Sequence, residues 1–214
     1  MTLNKKGLYT RRHLTMNETT HKDAFLVFSA AVVHSPDEKP MFRELAYACN
    51  PYKKCGEGNK RIEVWRFETP YFYRQLSIKQ KRKEEEARRK NHGMKFKADD
   101  EEREHCHQQF EVYSIVKKAW REHCLASDGN DVLVVYSQDV VGDMLRLLEI
   151  PCKHINDLCG YAEAVAFDPY KNNLASVKEE MTCRLPHSFD CPCQATIAMR
   201  LALFVWTSLN GKRQ

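Results

Sequence analysis

Four potential metal ligands lie immediately before the most apolar segment of the chain, which runs from Ala195 to Leu209. They are Cys183, His187, Cys191 and Cys193. Thiolate and imidazole are ligands that Zn²⁺ prefers in structural sites. A loop that binds one Zn²⁺ would determine where the last helix begins, so this cluster constrains the fold more than any other short segment.

The spacing of the cluster leaves the ligand set open. The cluster supplies all four ligands of a tetrahedral site, or it supplies three and a distant segment supplies the fourth. Cys191 and Cys193 are only two residues apart, which makes it awkward for both thiolates to bind one ion. We therefore favour Cys183, His187 and Cys193 with a fourth ligand from elsewhere. The alternative is a set of buried, reduced cysteines beside one surface histidine.

Length, charge and cysteine content indicate one domain in a reducing compartment. The 214 residues carry 34 Lys and Arg against 29 Asp and Glu, and this mild excess permits nucleic-acid binding without demonstrating it. Nine irregularly spaced cysteines, no apolar core of a signal peptide near the N-terminus and no run long enough for a membrane span favour the cytosol or nucleus. We expect a polar lead-in, a single domain and a short tail, at residues 1–22, 23–210 and 211–214.

Apolar patterning predicts three strands at the start of the domain. Residues 24–34 form a continuous apolar run, which is typical of a central strand covered on both faces. Residues 41–49 fit a strand or a short helix, and residues 61–67 alternate like a half-exposed strand. Short turns between the three segments predict an antiparallel meander.

Helical segments and further strands follow this meander. The patterns predict helices at 76–90, 99–125 and 140–148, short strands at 132–136 and 152–155, and helices after Asn156 and at the C-terminus. An antiparallel start followed by alternating strands and helices indicates an α/β fold. Its mixed sheet would be flanked by helices, in the order of a ribonuclease-H-like fold. No glycine-rich loop follows a predicted strand, which disfavours a Rossmann fold.

A basic segment, residues 79–97, is predicted to contact RNA phosphates weakly. Its positive side chains outnumber the three glutamates at 84–86, and the residues that we expect to contribute are Lys81, Arg82, Arg88 and Arg89. The alternative is a solvated helix face held by ion pairs between successive turns.

Catalytic residues are not apparent in the sequence. A two-metal exonuclease needs carboxylates on its first strand to hold two Mg²⁺ ions about 4 Å apart, and the middle of the first predicted strand, residues 26–30, has none. We interpret Asp23 and Asp131 as turn or cap residues. His105 and His107 would point in nearly opposite directions on a helix, so a second metal site is disfavoured.

Three segments together resemble, in order and spacing, the Maelstrom domain of animal germline proteins. They read MFRELAYACNPYKK, DVLVVYSQDVVGDMLRLLEIP and CRLPHSFDCPCQATIAMRLA. The resemblance implies a ribonuclease-H-like fold of the DEDD-exonuclease type with one structural zinc ion. It also implies that the zinc ligands are Glu44, Cys183, His187 and Cys193, with Arg200 in the helix that follows.

The resemblance further implies a role in small-RNA silencing of transposons, of the piRNA type, in the germline. The expected partners are single-stranded RNA and silencing-pathway proteins, in the nucleus, the cytoplasm or perinuclear granules. The alternative function is cleavage of single-stranded RNA at a site that needs no magnesium. An active metal-dependent 3′–5′ exonuclease is less favoured because the first strand lacks carboxylates.

Overall fold

The computed structural model describes residues 24–50, 60–127, 132–159 and 193–211 and contains a five-stranded mixed sheet. The strand order is β3-β2-β1-β4-β5, with β1 at Phe25–His34, β2 at Pro40–Cys49, β3 at Ile62–Arg66, β4 at Leu133–Tyr136 and β5 at Cys152–His154. β1, β2 and β3 form the predicted antiparallel meander, whereas β4 and β5 run parallel to β1. Residues 41–49, whose sequence fits either a strand or a short helix, lie in the strand β2.

Helices flank this sheet, so the predicted α/β class is confirmed. They are α1 at Ile78–Ala87, α2 at Asp100–Arg103, α3 at Val112–Leu125, α4 at Asp139–Leu147, α5 at Ile155–Cys159 and α6 at Gln194–Gly211. None of these helices is long and apolar enough to cross a membrane. The predicted lead-in lies outside the described residues, and the first residue of the predicted tail, Gly211, is the last residue of α6.

Two apolar layers cover the two faces of the sheet. Successive side chains of β1 point to opposite faces, so Leu26 and Phe28 join one layer while Phe25 and Val27 join the other. The first layer includes residues of α3 and α4, and the second is built largely from α6. The unbroken apolar run of β1 therefore reflects burial on both faces.

The predicted continuous helix over residues 99–125 is wrong, because the chain leaves the helix after Arg103. His107 instead pairs with the chain at the end of β3: its N–H donates to the Arg66 carbonyl at 2.8 Å and its carbonyl accepts from Glu68 at 2.9 Å. These backbone groups cannot also bond within a helix. Phe110, in the interrupted stretch before α3, is consequently 80% exposed.

Candidate metal centre and nucleic-acid interface

Glu44, one of the predicted zinc ligands, is a buried carboxylate in the middle of β2. Its Oε2 accepts a hydrogen bond from Nε of Arg66, the residue opposite it on β3, at 3.2 Å. Arg66 in turn contacts Glu102 at 3.2 Å, and Glu102 contacts the fully buried Arg43 at 3.1 Å. A buried charge needs such partners because it has lost its water.

The second oxygen of Glu44 joins the sheet to the start of α6. Glu44 Oε1 accepts the Gln194 N–H at 2.8 Å. The first N–H groups of a helix have no partner within the helix, and the positive end of the helix dipole favours a carboxylate there. The Gln194 side chain accepts a hydrogen bond from the Ser29 hydroxyl of β1 at 2.6 Å. Two strands therefore meet α6 at its first residue.

Cys193, the residue before α6, is buried next to this junction. Its Sγ accepts the Thr196 N–H at 3.5 Å and lies 3.3 Å from the Thr196 hydroxyl. Hydrogen bonds of this kind orient and support metal-binding side chains. The thiol is thus placed one residue from the amide that Glu44 binds.

Two of the four predicted zinc ligands are therefore placed near each other, while Cys183 and His187 lie outside the described residues, as does Cys191. Within the described ranges, no group of three or more His, Cys, Asp or Glu side chains is arranged to hold a metal ion. Carboxylate oxygen and thiolate sulfur are both ligand types of zinc. The donor chemistry of Glu44 and Cys193 fits zinc.

The described length of β1 has no carboxylate, as its sequence indicates. The Ser29 hydroxyl at its centre is bonded to α6, and both backbone groups of Ala30 are bonded to the side-chain amide of Gln138 at 2.8 Å. Asp23 and Asp131 lie outside the described residues. Hydrogen bonds to α6 and to Gln138, the residue before α4, therefore occupy the middle of this strand.

The predicted RNA-binding residues fall into two groups on α1 and the helical turn that follows it. Arg88 and Arg89 each lie 3.2 Å from Glu85, so their charges are partly neutralised. For Lys81 and Arg82, no carboxylate of the described part of the chain lies within ion-pair distance. The structure therefore distinguishes residues that the sequence grouped together.

Lys81 and Arg82 line an open groove of about 530 Å³. The groove is also lined by Tyr73, Ile78, Glu85, Glu86, Arg89 and Lys90. A second cavity of about 280 Å³ shares Tyr73 and Glu85 with the groove and is lined in addition by Lys95 and Lys97. Burial raises the pKa of Tyr73 and nearby glutamates raise it further, so its hydroxyl stays protonated and donates to the Lys81 carbonyl at 3.1 Å.

A histidine–carboxylate pair that sequence reasoning missed lies at the edge of the second cavity. Glu84 Oε1 accepts the His34 N–H at 3.0 Å and lies 3.0 Å from His34 Nδ1. Glu84 is 5% exposed and His34 31% exposed, and the other oxygen of Glu84 has no hydrogen-bond partner among the described residues. A carboxylate at Nδ1 favours the tautomer that leaves Nε2 free to accept a proton.

Only the fold could have revealed this pair, because His34 and Glu84 are fifty residues apart in sequence. The one sequence signal was a glutamate within a run of lysines and arginines.

No protein-family model, curated protein or solved structure matches this chain.

Proposed function

We propose that this chain is an RNA-binding module with a ribonuclease-H-like fold that has lost the two-metal site of an exonuclease. The strand order, with β2 antiparallel to β1 and both β4 and β5 parallel to it, is compatible with that fold. The centre of β1 carries Ser29 and Ala30 in hydrogen bonds to α6 and Gln138, where an exonuclease would need carboxylates. These contacts support binding over metal-dependent hydrolysis.

The observation that carries this proposal is the groove beside α1. Phosphate binding needs cations that are not already neutralised by carboxylates, and Lys81 and Arg82 meet that requirement within the described part of the chain. The resemblance to the Maelstrom domain suggests the biological setting. The RNA would be single-stranded and belong to piRNA-type silencing of transposons, with silencing-pathway proteins as further partners.

We further propose that Glu44, Cys183, His187 and Cys193 hold one structural Zn²⁺. The contact between Glu44 and the amide next to Cys193 supports this set, because it brings two of the proposed ligands to one place. Four protein ligands would leave no coordination position for water or substrate. The ion would tie β2 to the entry of α6 across about 150 residues, and closing so long a loop stabilises the folded chain.

Salt-dependent binding of single-stranded RNA tests the RNA-binding proposal. We expect log Kd of the native chain to rise linearly with log salt, and the Lys81→Ala/Arg82→Ala variant to bind more weakly with a slope smaller by about 1.4, or about 0.7 per phosphate contact. Fluorescence anisotropy with a labelled 20-nucleotide RNA measures both quantities.

The matched control is Lys117→Ala/Arg121→Ala, which removes one lysine and one arginine of α3 that likewise have no carboxylate of the described residues within ion-pair distance. It should leave the slope unchanged. An equal loss in both variants would mean that only net charge matters and that the groove beside α1 is not the binding site.

The second candidate function is cleavage of single-stranded RNA without magnesium, and the His34–Glu84 pair favours it. A histidine oriented by a carboxylate is suited to general acid–base chemistry, such as removal of the proton from an RNA 2′-hydroxyl. Cleavage should then persist in EDTA and be lost in His34→Gln, while the control variant His154→Gln remains active. A reaction that stops on Mg²⁺ removal and recovers when Mg²⁺ is restored would favour the metal-dependent exonuclease instead.

A further inference from the structure

Two consecutive aromatic side chains beside the groove are exposed without belonging to the hydrophobic core. Phe72 is 48% exposed and Tyr73 is 41% exposed. Neither is part of the two apolar layers on the sheet or of a smaller buried cluster formed by Val33, Met41, Leu76 and Phe96. The two rings are consecutive in sequence and each exposes close to half of its residue's surface to solvent.

Both residues are held in place although their rings face solvent. Phe72 caps a short helical turn, Tyr73–Gln75, and its N–H donates to the Gln75 side chain. The Tyr73 hydroxyl donates a hydrogen bond to the Lys81 carbonyl. The centre of the Tyr73 ring lies 6.0 Å from the centre of the buried Phe96 ring, in an edge-on arrangement. A ring that is already fixed loses little conformational entropy when a ligand binds it.

Cationic groups surround the two rings. Lys97 Nζ lies 4.0 Å and the Arg74 guanidinium 5.1 Å from the centre of the Phe72 ring, and Lys81 Nζ lies 5.8 Å from the centre of the Tyr73 ring. Attraction between a cation and the face of an aromatic ring holds the positive charges close to the rings. A base would stack on a ring face that these cations leave open or would displace one of them, and in either case it meets positive charge at the same place.

We propose that Phe72 and Tyr73 stack on bases of single-stranded RNA whose phosphates contact Lys81 and Arg82. Proteins that bind single strands combine a basic groove with aromatic rings, because every base offers a face for stacking. The proposal rests on RNA binding as the proposed function and adds a selectivity: bases within a duplex are already stacked on each other, so the rings favour single strands.

The position of Tyr73 agrees with this role. It lines both the groove that contains Lys81 and Arg82 and the adjoining cavity that contains Lys95 and Lys97. A strand with phosphates in the groove would pass this ring at the border between the two cavities. The ring is placed to meet a base there.

The test measures binding of a labelled, uridine-rich 20-nucleotide RNA and of a hairpin with a fully paired stem. Phe72→Ala and Tyr73→Ala should each weaken binding of the single strand by about fivefold to 150-fold, the range found for loss of one stacked base. Their salt slopes should stay as in the native chain, because no phosphate contact is removed. Binding of the hairpin stem should change little.

Phe110→Ala is the matched control, since Phe110 is 80% exposed and no cation of the described residues lies over its ring. It should bind the single strand as the native chain does. Tyr73→Phe keeps the ring and should also bind like the native chain. Circular dichroism and thermal melting establish that each variant is folded.

Cross-linking of 4-thiouridine RNA to the native chain provides a measurement that needs no substitution. Adducts mapped by mass spectrometry should lie on Phe72 or Tyr73. Native affinity in both alanine variants, or adducts on Phe110 in their place, would overturn the stacking proposal while leaving RNA binding intact. A native chain that binds no RNA would overturn the proposed function itself.

Discussion

The buried charges at the junction of β2, β3 and α6 differ from the charges beside α1 in burial and in pairing. Glu44, Arg66 and Arg43 are at most 3% exposed, and each has a partner of opposite charge. Arg89 and Lys90 are 68% and 69% exposed, and their partners are glutamates on the same helical segment. The same residue types therefore stabilise the fold at one place and form weak, solvent-exposed pairs at the other, because only the buried charges have lost their water.

The largest effect is expected from the proposed zinc site. Cys193→Ser should lose the metal and lower the melting temperature sharply, because structural zinc contributes directly to the free energy of folding. Cys191→Ser should do neither. Elemental analysis of the purified full chain should find about one zinc per native chain. Loss of zinc in the Cys191 variant, or native stability without zinc, would contradict the assignment.

A second large effect is expected from removing one partner of the buried ion network. Glu44→Ala removes one carboxylate partner of the buried Arg66 while Glu102 stays, so we expect the free energy of unfolding to fall by about 3 kcal/mol, at the low end for a broken buried pair. Urea unfolding with and without a chelator separates this loss from any loss of zinc.

The control for this variant is Glu86→Ala, which breaks an exposed pair with Lys90. It should not change the free energy of unfolding measurably. Equal stability of the Glu44 and Glu86 variants would show that burial does not distinguish the two regions.

A smaller effect on stability is expected from His123, a buried histidine whose ring centre lies 5.1 Å from that of Tyr47. Burial lowers the pKa of His123 below its usual range. The unfolded chain therefore binds a proton near pH 6.5 while the folded chain does not, so stability should decrease as the pH falls through about 6.5 toward the folded pKa. Urea unfolding at pH 7.5 and 5.5 should show this decrease, and His123→Gln should reduce it. A variant with the native pH dependence would mean that other groups cause it.

Sequence patterns predicted the sheet because burial acts on individual strands. The apolar run of β1 records that both of its faces are covered. The link between Glu44 and the start of α6 was expected only from the resemblance; a hydrogen bond to Gln194 joins the two there, and a shared zinc ion stays a prediction. The strand order is consistent with the predicted mixed sheet, in which an antiparallel start is followed by alternating strands and helices.

Contacts between distant segments could not be predicted in this way. The helix predicted over residues 99–125 breaks because His107 bonds to the chain beside Arg66, an interaction with no local signal. The His34–Glu84 pair and the exposed rings of Phe72 and Tyr73 likewise depend on where α1 lies against β1. A basic segment also does not indicate which of its cations are neutralised by neighbouring carboxylates.

The most direct test compares the salt slope of single-stranded RNA binding between two double variants of the basic segment. Lys81→Ala/Arg82→Ala removes cations without a carboxylate partner in the described part of the chain, and should reduce the slope by about 1.4. Arg88→Ala/Arg89→Ala removes cations already paired with Glu85, and should reduce it by less than half as much. Equal reductions, or no reduction in the Lys81/Arg82 variant, would contradict the claim that pairing and burial decide which charges bind RNA.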